Sequence, residues 1–415
     1  MRVAVVSATD ITGGAGRASY RIHHALRQAG HGATMHVTRA SAGDWTVEGP
    51  KGYLPQALVW GRHAAGAALA KVLNTDNPVL HSPAVLPSSW PGRLNRDDCE
   101  VVNLHWVNAE MMSVEDIGRI RKPVVWTLHD MWAFCGAEHY TTDERWRTGY
   151  LVSNRPSYER GLDLNRWVWR RKQRAWRRRF QIVTPSQWLA DCVRDSGLMH
   201  DWPVTVIPNA IDTDAWQPVE VGLARRLLGL PIDVPIALFG AIGGSRDSRK
   251  GFDLLEKALR ALVGRVPELM LAVFGQLAPR DDLKLGFPVR FLGHLHDDIS
   301  LRLLYSAADL LVIPSRQDNL PNTGVEALAC GTPVVAFNAC GLPSVVDHRR
   351  TGYLAEAFEP DDLAAGVEWV LAQREASGGG PLRSAARQDA VDRLSYPVVA
   401  TRYLAAFRQA MDFHG

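Results

Sequence analysis

The chain has 415 residues, of which 46% are hydrophobic and 22% charged, with a formal net charge of +3. That length and composition predict a globular protein of two domains of about 200 residues each, and they exclude a disordered chain or a general nucleic-acid binder. The five cysteines (Cys99, Cys135, Cys192, Cys330, Cys340) are scattered without a CxxC pair, which favours reduced thiols over a disulfide frame or a zinc site.

The opening "MRVAVVSATD" lacks the apolar core and cleavage site of a signal peptide. No run of ~18 apolar residues offers a membrane span, so a cytoplasmic location is expected. "RVAVVSA" (2–8) reads as a strand, and the cluster Gly13, Gly14 and Gly16 opens a helix with Ala18, Ile22, Leu26 and Ala29 at helical spacing. A second strand at 33–37 completes a βαβ unit. "LVWGRHAAGAALAKVL" (58–73) reads either as a core helix or as a shallow membrane contact. "CEVVNLHWV" and "KPVVWTLHD" are buried-strand candidates, and they set His105, Trp106, His129 and Asp130 just past strand ends.

In "NRWVWRRKQRAWRRRF" (165–180) a helix would put Trp167, Arg171, Arg174 and Arg178 near one face and Trp169, Lys172, Trp176 and Phe180 on another. It fits an anionic membrane surface or a polyphosphate-linked acceptor, and equally a packed helix with solvated arginines. "FQIVTPSQWLADCVRDSG" is strand, turn and helix. The pattern restarts after "VTVIPNAIDTDAW" (204–216), with strands in "PIALFGA", "LMLAVFGQ", "VRFLGHL", "DLLVIPS" and "TPVVAFNA". Two doubly wound α/β units in tandem with a crevice between them follow from this alternation.

Such sheets bind ligands at the carboxyl ends of their strands. Three loops there are equipped. In "SRQDNLPNTGVEALACGTPVVAF" (315–337) the loop carries Asp318, and Asn322 or Thr323 is placed to cap a short helix starting near Gly324. Free amides of that first turn suit a phosphate, Gly324 permits close approach, and Glu326 can accept from ribose hydroxyls. The alternative is a Glu that favours the helix dipole and a solvated loop Asp. "FGAIGGSRDSRKGFDLL" (239–255) sets Arg246, Arg249 and Lys250 beside glycines, which suits a diphosphate leaving group or simply a solvated basic turn. "TGGAGR" departs from the GxGxxG fingerprint and is weaker. His129 and Asp130 either contact a substrate hydroxyl or serve as a core His and a helix cap, and His105 is open in the same way.

With these residues assembled, the chain resembles the retaining glycosyltransferases of family 4, whose GT-B fold is two Rossmann-like domains with parallel sheets facing a central cleft. The family carries an acid, seven residues, a Glu and "AxACGxPVVA"; Asp318, Glu326 and "ALACGTPVVA" fill it here. The resemblance implies that Asp318 contacts the transferred sugar, with Asn319 and Asn322 in the same donor loop. Glu326 would bind the ribose, and Thr323, Gly324, Lys250, Arg246, Gly14 and Gly16 the diphosphate side. His129 would act at the donor sugar as a catalytic residue with Asp318 and Lys250, and His105, Trp106 and Asp130 would meet the acceptor.

"VVNLHWV", "PVVWTLHDMWAFCGAEHY" and "WRRKQRAW" are similar to a bacterial subgroup of exopolysaccharide and O-antigen assembly. Asp318 replaces the usual Glu, Ala241 stands where an arginine is common, and only Cys135 remains of a cysteine-rich region, so no metal is expected. Expected partners are a nucleotide sugar, GDP- or UDP-linked, and a saccharide or lipid-linked saccharide acceptor. Peripheral contact of 165–180 with the inner face of an anionic membrane is also expected. The implied domains are 1–203 for the acceptor, 204–385 for the donor, and 386–415 as helices returning to the first. A sugar-nucleotide epimerase and a non-catalytic assembly subunit are the rival readings. A retaining glycosidase would also use two carboxylates, but it needs no phosphate cradle.

Overall fold

The computed structural model describes residues 1–240, 247–275, 285–295, 297–377 and 380–414, the side chains of 375–377 excepted. It divides into two compact units, Met1–Pro208 with Val399–Gly415, and Asn209–Val398.

The first unit is built on β1 (Arg2–Thr9), β2 (Gly32–Arg39), β3 (Val47–Glu48), β4 (Leu73–Thr75), β5 (Val101–Leu104), β6 (Val124–Thr127), β7 (Glu159–Gly161), β8 (Gln181–Thr184) and β9 (Val204–Val206). Seven of these form one sheet in the order β3-β2-β1-β5-β6-β8-β9, every neighbour parallel, while β4 and β7 make a separate antiparallel pair. β5, β6 and β8 are buried along their whole length, which explains their largely apolar, β-branched sequences.

The second unit carries β10 (Ile236–Gly240), β11 (Met270–Phe274), β12 (Val289–Phe291), β13 (Leu310–Ile313), β14 (Val334–Phe337) and β15 (Gly352–Ala355). They form one parallel sheet in the order β12-β11-β10-β13-β14-β15. In each unit the chain winds outward from a central strand and then returns to its other side. The order therefore reverses between β1 and β5, and again between β10 and β13. Loops leaving the carboxyl ends of those pairs diverge and open a crevice at that end of the sheet.

Several boundaries move. β9 pairs with β8, so the first unit runs to Pro208 rather than 203. The helix Gly380–Leu394 stays in the second unit, and only the chain from Val399 belongs to the first, where the Tyr403 and Thr127 hydroxyls lie 3.1 Å apart. The segment expected as a core or membrane helix is the helix Tyr53–Ala70, of which only Gly66 is buried; Leu54, Leu58 and Trp60 stand exposed. In the basic segment the helix is Leu164–Ala175, and its second face is interior: Trp169, Lys172, Trp176 and Phe180 are buried. An aromatic membrane face is thereby removed, leaving Trp167, Arg170, Arg174, Arg177, Arg178 and Arg179 exposed, while Arg171 is held by Glu115.

Candidate active site

In the second unit the switch-point loops are tied together. Gly251 adopts φ +66°, and a Cβ there would stand 1.9 Å from the Pro314 carbonyl oxygen, so only glycine lets the turn Ser248–Lys250 lie against the end of β13. The Arg249 carbonyl accepts from the amide of Arg316 at 2.7 Å, and Arg316 in turn is ion-paired with Asp253 at 2.6 Å. The product of this packing is a contact between the two loops: Lys250 Nζ donates to Asp318 Oδ2 at 2.7 Å. Asp318 also accepts from the Asn319 amide through Oδ1, at 3.1 Å, and its carbonyl accepts from the Gly341 amide at 3.0 Å. A Cβ at Gly341 would lie 1.4 Å from the Asn319 carbonyl oxygen, so that glycine is what lets this loop sit down.

The helix after this loop is Asn322–Ala329, two residues earlier than expected, and its N-cap is Pro321 without a side-chain cap bond. Glu326 therefore falls in the second turn. It is buried, and Oε2 accepts from the Tyr305 hydroxyl at 2.9 Å. The Gly324 amide donates to the Pro321 carbonyl at 3.0 Å, and a Cβ at Gly324 would meet Val345 Cγ1 at 2.7 Å. The absent side chain at Gly324 thus leaves room for Val345, and the Gly324 amide is turned to the Pro321 carbonyl. Asn209 Nδ2 donates to Asn322 Oδ1 at 3.0 Å and to the Leu320 carbonyl at 3.3 Å, fixing the entrance of the helix. Asn319 is buried. Arg246 and Ala241 lie outside the described residues.

In the first unit, the helix Gly13–Gln28 follows β1 with Thr12 at its N-cap, and a Cβ on Gly16 would stand 2.4 Å from Thr9 Oγ1. Gly14 lies in the same first turn. Asp10, which sequence reasoning missed, is fully buried and clamps the strand-end loops: its Oδ2 accepts from the amides of Ser41 and Ala42 at 2.6 and 2.7 Å.

His105 and His129, on adjacent strand ends, form a directed chain. Asn103 Nδ2 donates to the Val125 carbonyl, which can only accept, at 3.1 Å, so Asn103 Oδ1 faces His105 Nε2 at 3.0 Å and takes its proton-bearing side. Neutral His105 then accepts through Nδ1, and His129 Nε2 donates to it at 3.0 Å, which leaves Nδ1 of neutral His129 as a hydrogen-bond acceptor. Burial holds His129 down at about 4; burial and its histidine neighbour hold His105 well below the usual histidine range. His105 is buried and makes these two bonds, one to Asn103 and one to His129.

Asp130 anchors a second cluster. Burial acts to raise its carboxyl, yet the His139 charge and hydrogen bond outweigh this and hold it below the usual range. Its Oδ2 lies 2.6 Å from His139 Nδ1 and accepts from Trp106 Nε1 at 3.1 Å, and its Oδ1 accepts from the Trp132 amide at 3.0 Å. The loop between them is held from beneath by Lys172, whose buried Nζ donates to the carbonyls of Trp132, Cys135 and Gly136. Among the described residues His23, His24 and Asp44 are grouped closely enough for a metal, with His24 Nε2 2.9 Å from Asp44 Oδ2.

Two Rossmann-like units, each with polar side chains gathered at its switch point, define a GT-B fold. Sucrose-phosphate synthase from Thermosynechococcus elongatus aligns over 99% of this chain and 99% of its own at 18% identity, with a TM-score of 0.66. HepE of Anabaena, solved with UDP and glucose, aligns over 99% of this chain and 100% of its own, also at 18% identity, with a TM-score of 0.62. Residues 12–215 match the family described as Glycosyltransferase Family 4, and residues 237–373 the family described as Glycosyl transferases group 1. The chain belongs to the glycosyltransferase family. A D-inositol 3-phosphate glycosyltransferase of Geodermatophilus obscurus is 34% identical over 227 residues, 50% of each chain. The chain thus spans about half the length of the curated relatives it matches.

Proposed function

We propose that this chain transfers a sugar, with retention and without a divalent metal, from a GDP- or UDP-linked donor to a glycan or lipid-linked saccharide in surface polysaccharide assembly. The observation that carries the reading is the Lys250–Asp318 contact, because it joins a cation and a carboxylate from the two loops of a switch point, where a donor is bound. Lys250 stabilises charge on the leaving diphosphate with the Thr323 amide and with Arg246. Asp318 holds the transferred sugar with Asn319 and Asn322, and Glu326 the ribose. As the anomeric C–O bond to phosphate breaks, the acceptor oxygen bonds to the same face of that carbon and its proton passes to the departing phosphate. In the first unit Trp106 and Asp130 line the acceptor side, with His129 beside them at the next strand end.

The UDP and glucose of the HepE complex make UDP the first nucleotide to try, and the relative's printed name makes inositol 3-phosphate an acceptor to try beside lipid-linked saccharides. Membrane contact of 165–180, on the cytoplasmic side, rests on Trp167 and the exposed arginines; salt-insensitive failure to pellet with anionic vesicles refutes it. The test of the transferase reading is a thermal-shift panel of GDP, UDP, ADP and their sugar conjugates on wild type and Glu326→Ala. Stabilisation by one nucleotide that is lost in the variant supports it. No shift with any nucleotide turns the reading to a non-catalytic subunit, and donor conversion without acceptor turns it to an epimerase.

A further inference from the structure

A cavity of ≈ 400 Å³ opens at the switch point of the first unit. Its floor is Thr9 at the end of β1, Arg39 at the end of β2 and Trp106 just past β5, and its wall is the helix Tyr53–Ala70, through Trp60 and His63. The volume lies within the range of small-molecule sites, roughly 300–1,000 Å³.

Three features define what it would hold. First, two indoles line it, and Trp60 is 65% exposed, which is far more open than an indole placed for packing. An open aromatic face at a polar strand end suits the C–H face of a sugar ring, whose hydroxyls remain at its edge. Second, the Arg39 guanidinium lies 5.8 Å from the Trp60 ring centroid, and no carboxylate pairs with it among the described residues. Neighbouring arginines are spent: Arg62 donates to the carbonyls of Leu86, Pro87 and Glu110, and Arg93 pairs with Glu48 at 2.6 Å. Third, among the described residues no Asp or Glu lines the cavity. A guanidinium held over an aromatic wall, in a concave site without a counter-charge, presents its planar fork to a carboxylate or phosphate.

We infer that this cavity seats an acidic acceptor sugar, its ring against Trp60 and Trp106 and its carboxylate or phosphate on Arg39. The inference rests on the transferase reading above and supplies its acceptor class. Trp106 links the seat to the polar cluster, since its indole N–H donates to Asp130, so an occupied ring is held beside Asp130 and the His105–His129 chain.

The test is ligand-observed NMR on the full chain with glucuronate, glucose 6-phosphate and glucose, for wild type, Arg39→Gln and Trp60→Ala, with UDP as a separate ligand. The expected result is that at least one acidic sugar binds tenfold or more tighter than glucose, and the two acidic arms separate carboxylate from phosphate. Arg39→Gln erases that preference, Trp60→Ala weakens all three sugars, and neither changes UDP binding. Equal binding of acidic and neutral sugars, binding by none, or a preference that survives Arg39→Gln overturns the proposal. If UDP binds while the sugars fail, only this inference falls. If UDP fails while the acidic preference holds, the transferase reading falls instead.

Discussion

Lys250 and Asp318 stand 68 residues apart in sequence, yet Nζ and Oδ2 meet at 2.7 Å, each arriving from one strand of the switch point. The pair is open to solvent on the lysine side, 38% against 14% for the aspartate, so it adds little to the fold. Lys250→Ala should therefore leave the melting temperature within about 2 °C of wild type. Donor-dependent kcat/KM should fall by about 100-fold, the loss of one cation at a developing oxyanion. Steady-state kinetics beside a melting curve checks both, and a variant that melts early while keeping its turnover would assign the pair to stability.

Glu326 meets its partner in the opposite setting. Both it and Tyr305 are buried, and the Tyr305 ring is in turn packed between Trp216 and Phe274, at centroid distances of 6.3 and 5.8 Å. Tyr305→Phe keeps the ring and removes one donor from a buried carboxylate, which costs roughly 1–3 kcal/mol. The same loss loosens the hold on Glu326. Calorimetry with UDP should show weakening by about threefold to tenfold, less than in Glu326→Ala. Unchanged nucleotide affinity in Tyr305→Phe would mean that Tyr305 does not orient the carboxylate.

Strands such as β5, β6 and β8 were legible because buried parallel strands read as short apolar runs with β-branched residues. β15, "GYLA", has no β-branched residue and two half-buried positions, and no such run announces it. The start of the helix at Asn322 was displaced because Asn and Thr are the residues that cap through side chains, whereas here Pro321 serves with φ −65° and no side-chain bond. Tyr305 and Glu326, 21 residues apart, share no periodicity. Nor does sequence order place Asn103 beside Val125; that needs the register of β5 against β6, from which the histidine chain follows. Lys172 was hidden by the arginines around it, since a run of cations does not say which one points inward.

The histidine chain has a pH consequence. His129 titrates near 4 in the folded chain and at 6.5 when unfolded, so between those values the unfolded chain binds the extra proton. Stability accordingly falls as pH drops from 6.5 toward 4, by up to about 1.4 kcal/mol per pH unit for this one group, and above 6.5 the group contributes no slope. His129→Gln should flatten the urea-unfolding free energy between pH 6.5 and 4.5 relative to wild type while leaving the curve above pH 7 parallel. Identical slopes in the acid window would show that the His129 proton is not withheld by the fold.

Lys172 is the buried counterpart of Lys250, a cation placed for architecture. Its Nζ is 2.7 Å from the Gly136 carbonyl oxygen and 3.0 Å from that of Cys135, donates also to Trp132, and lies 3.8 Å from the Trp132 ring centroid. Burial pulls its ammonium down from the ordinary lysine value, so the loop carbonyls hold a cation whose own solvation has been given up. Lys172→Met fits the volume but leaves three carbonyls of an interior loop without a donor, at a cost of about 3–5 kcal/mol. Because Asp130 and His139 lie along that loop, the variant should also lose the hydrogen bond between them, visible as a changed His139 imidazole resonance in NMR at temperatures where the protein remains folded. A Lys172→Met protein as stable as wild type, with His139 unmoved, would show that the loop keeps its shape without the lysine.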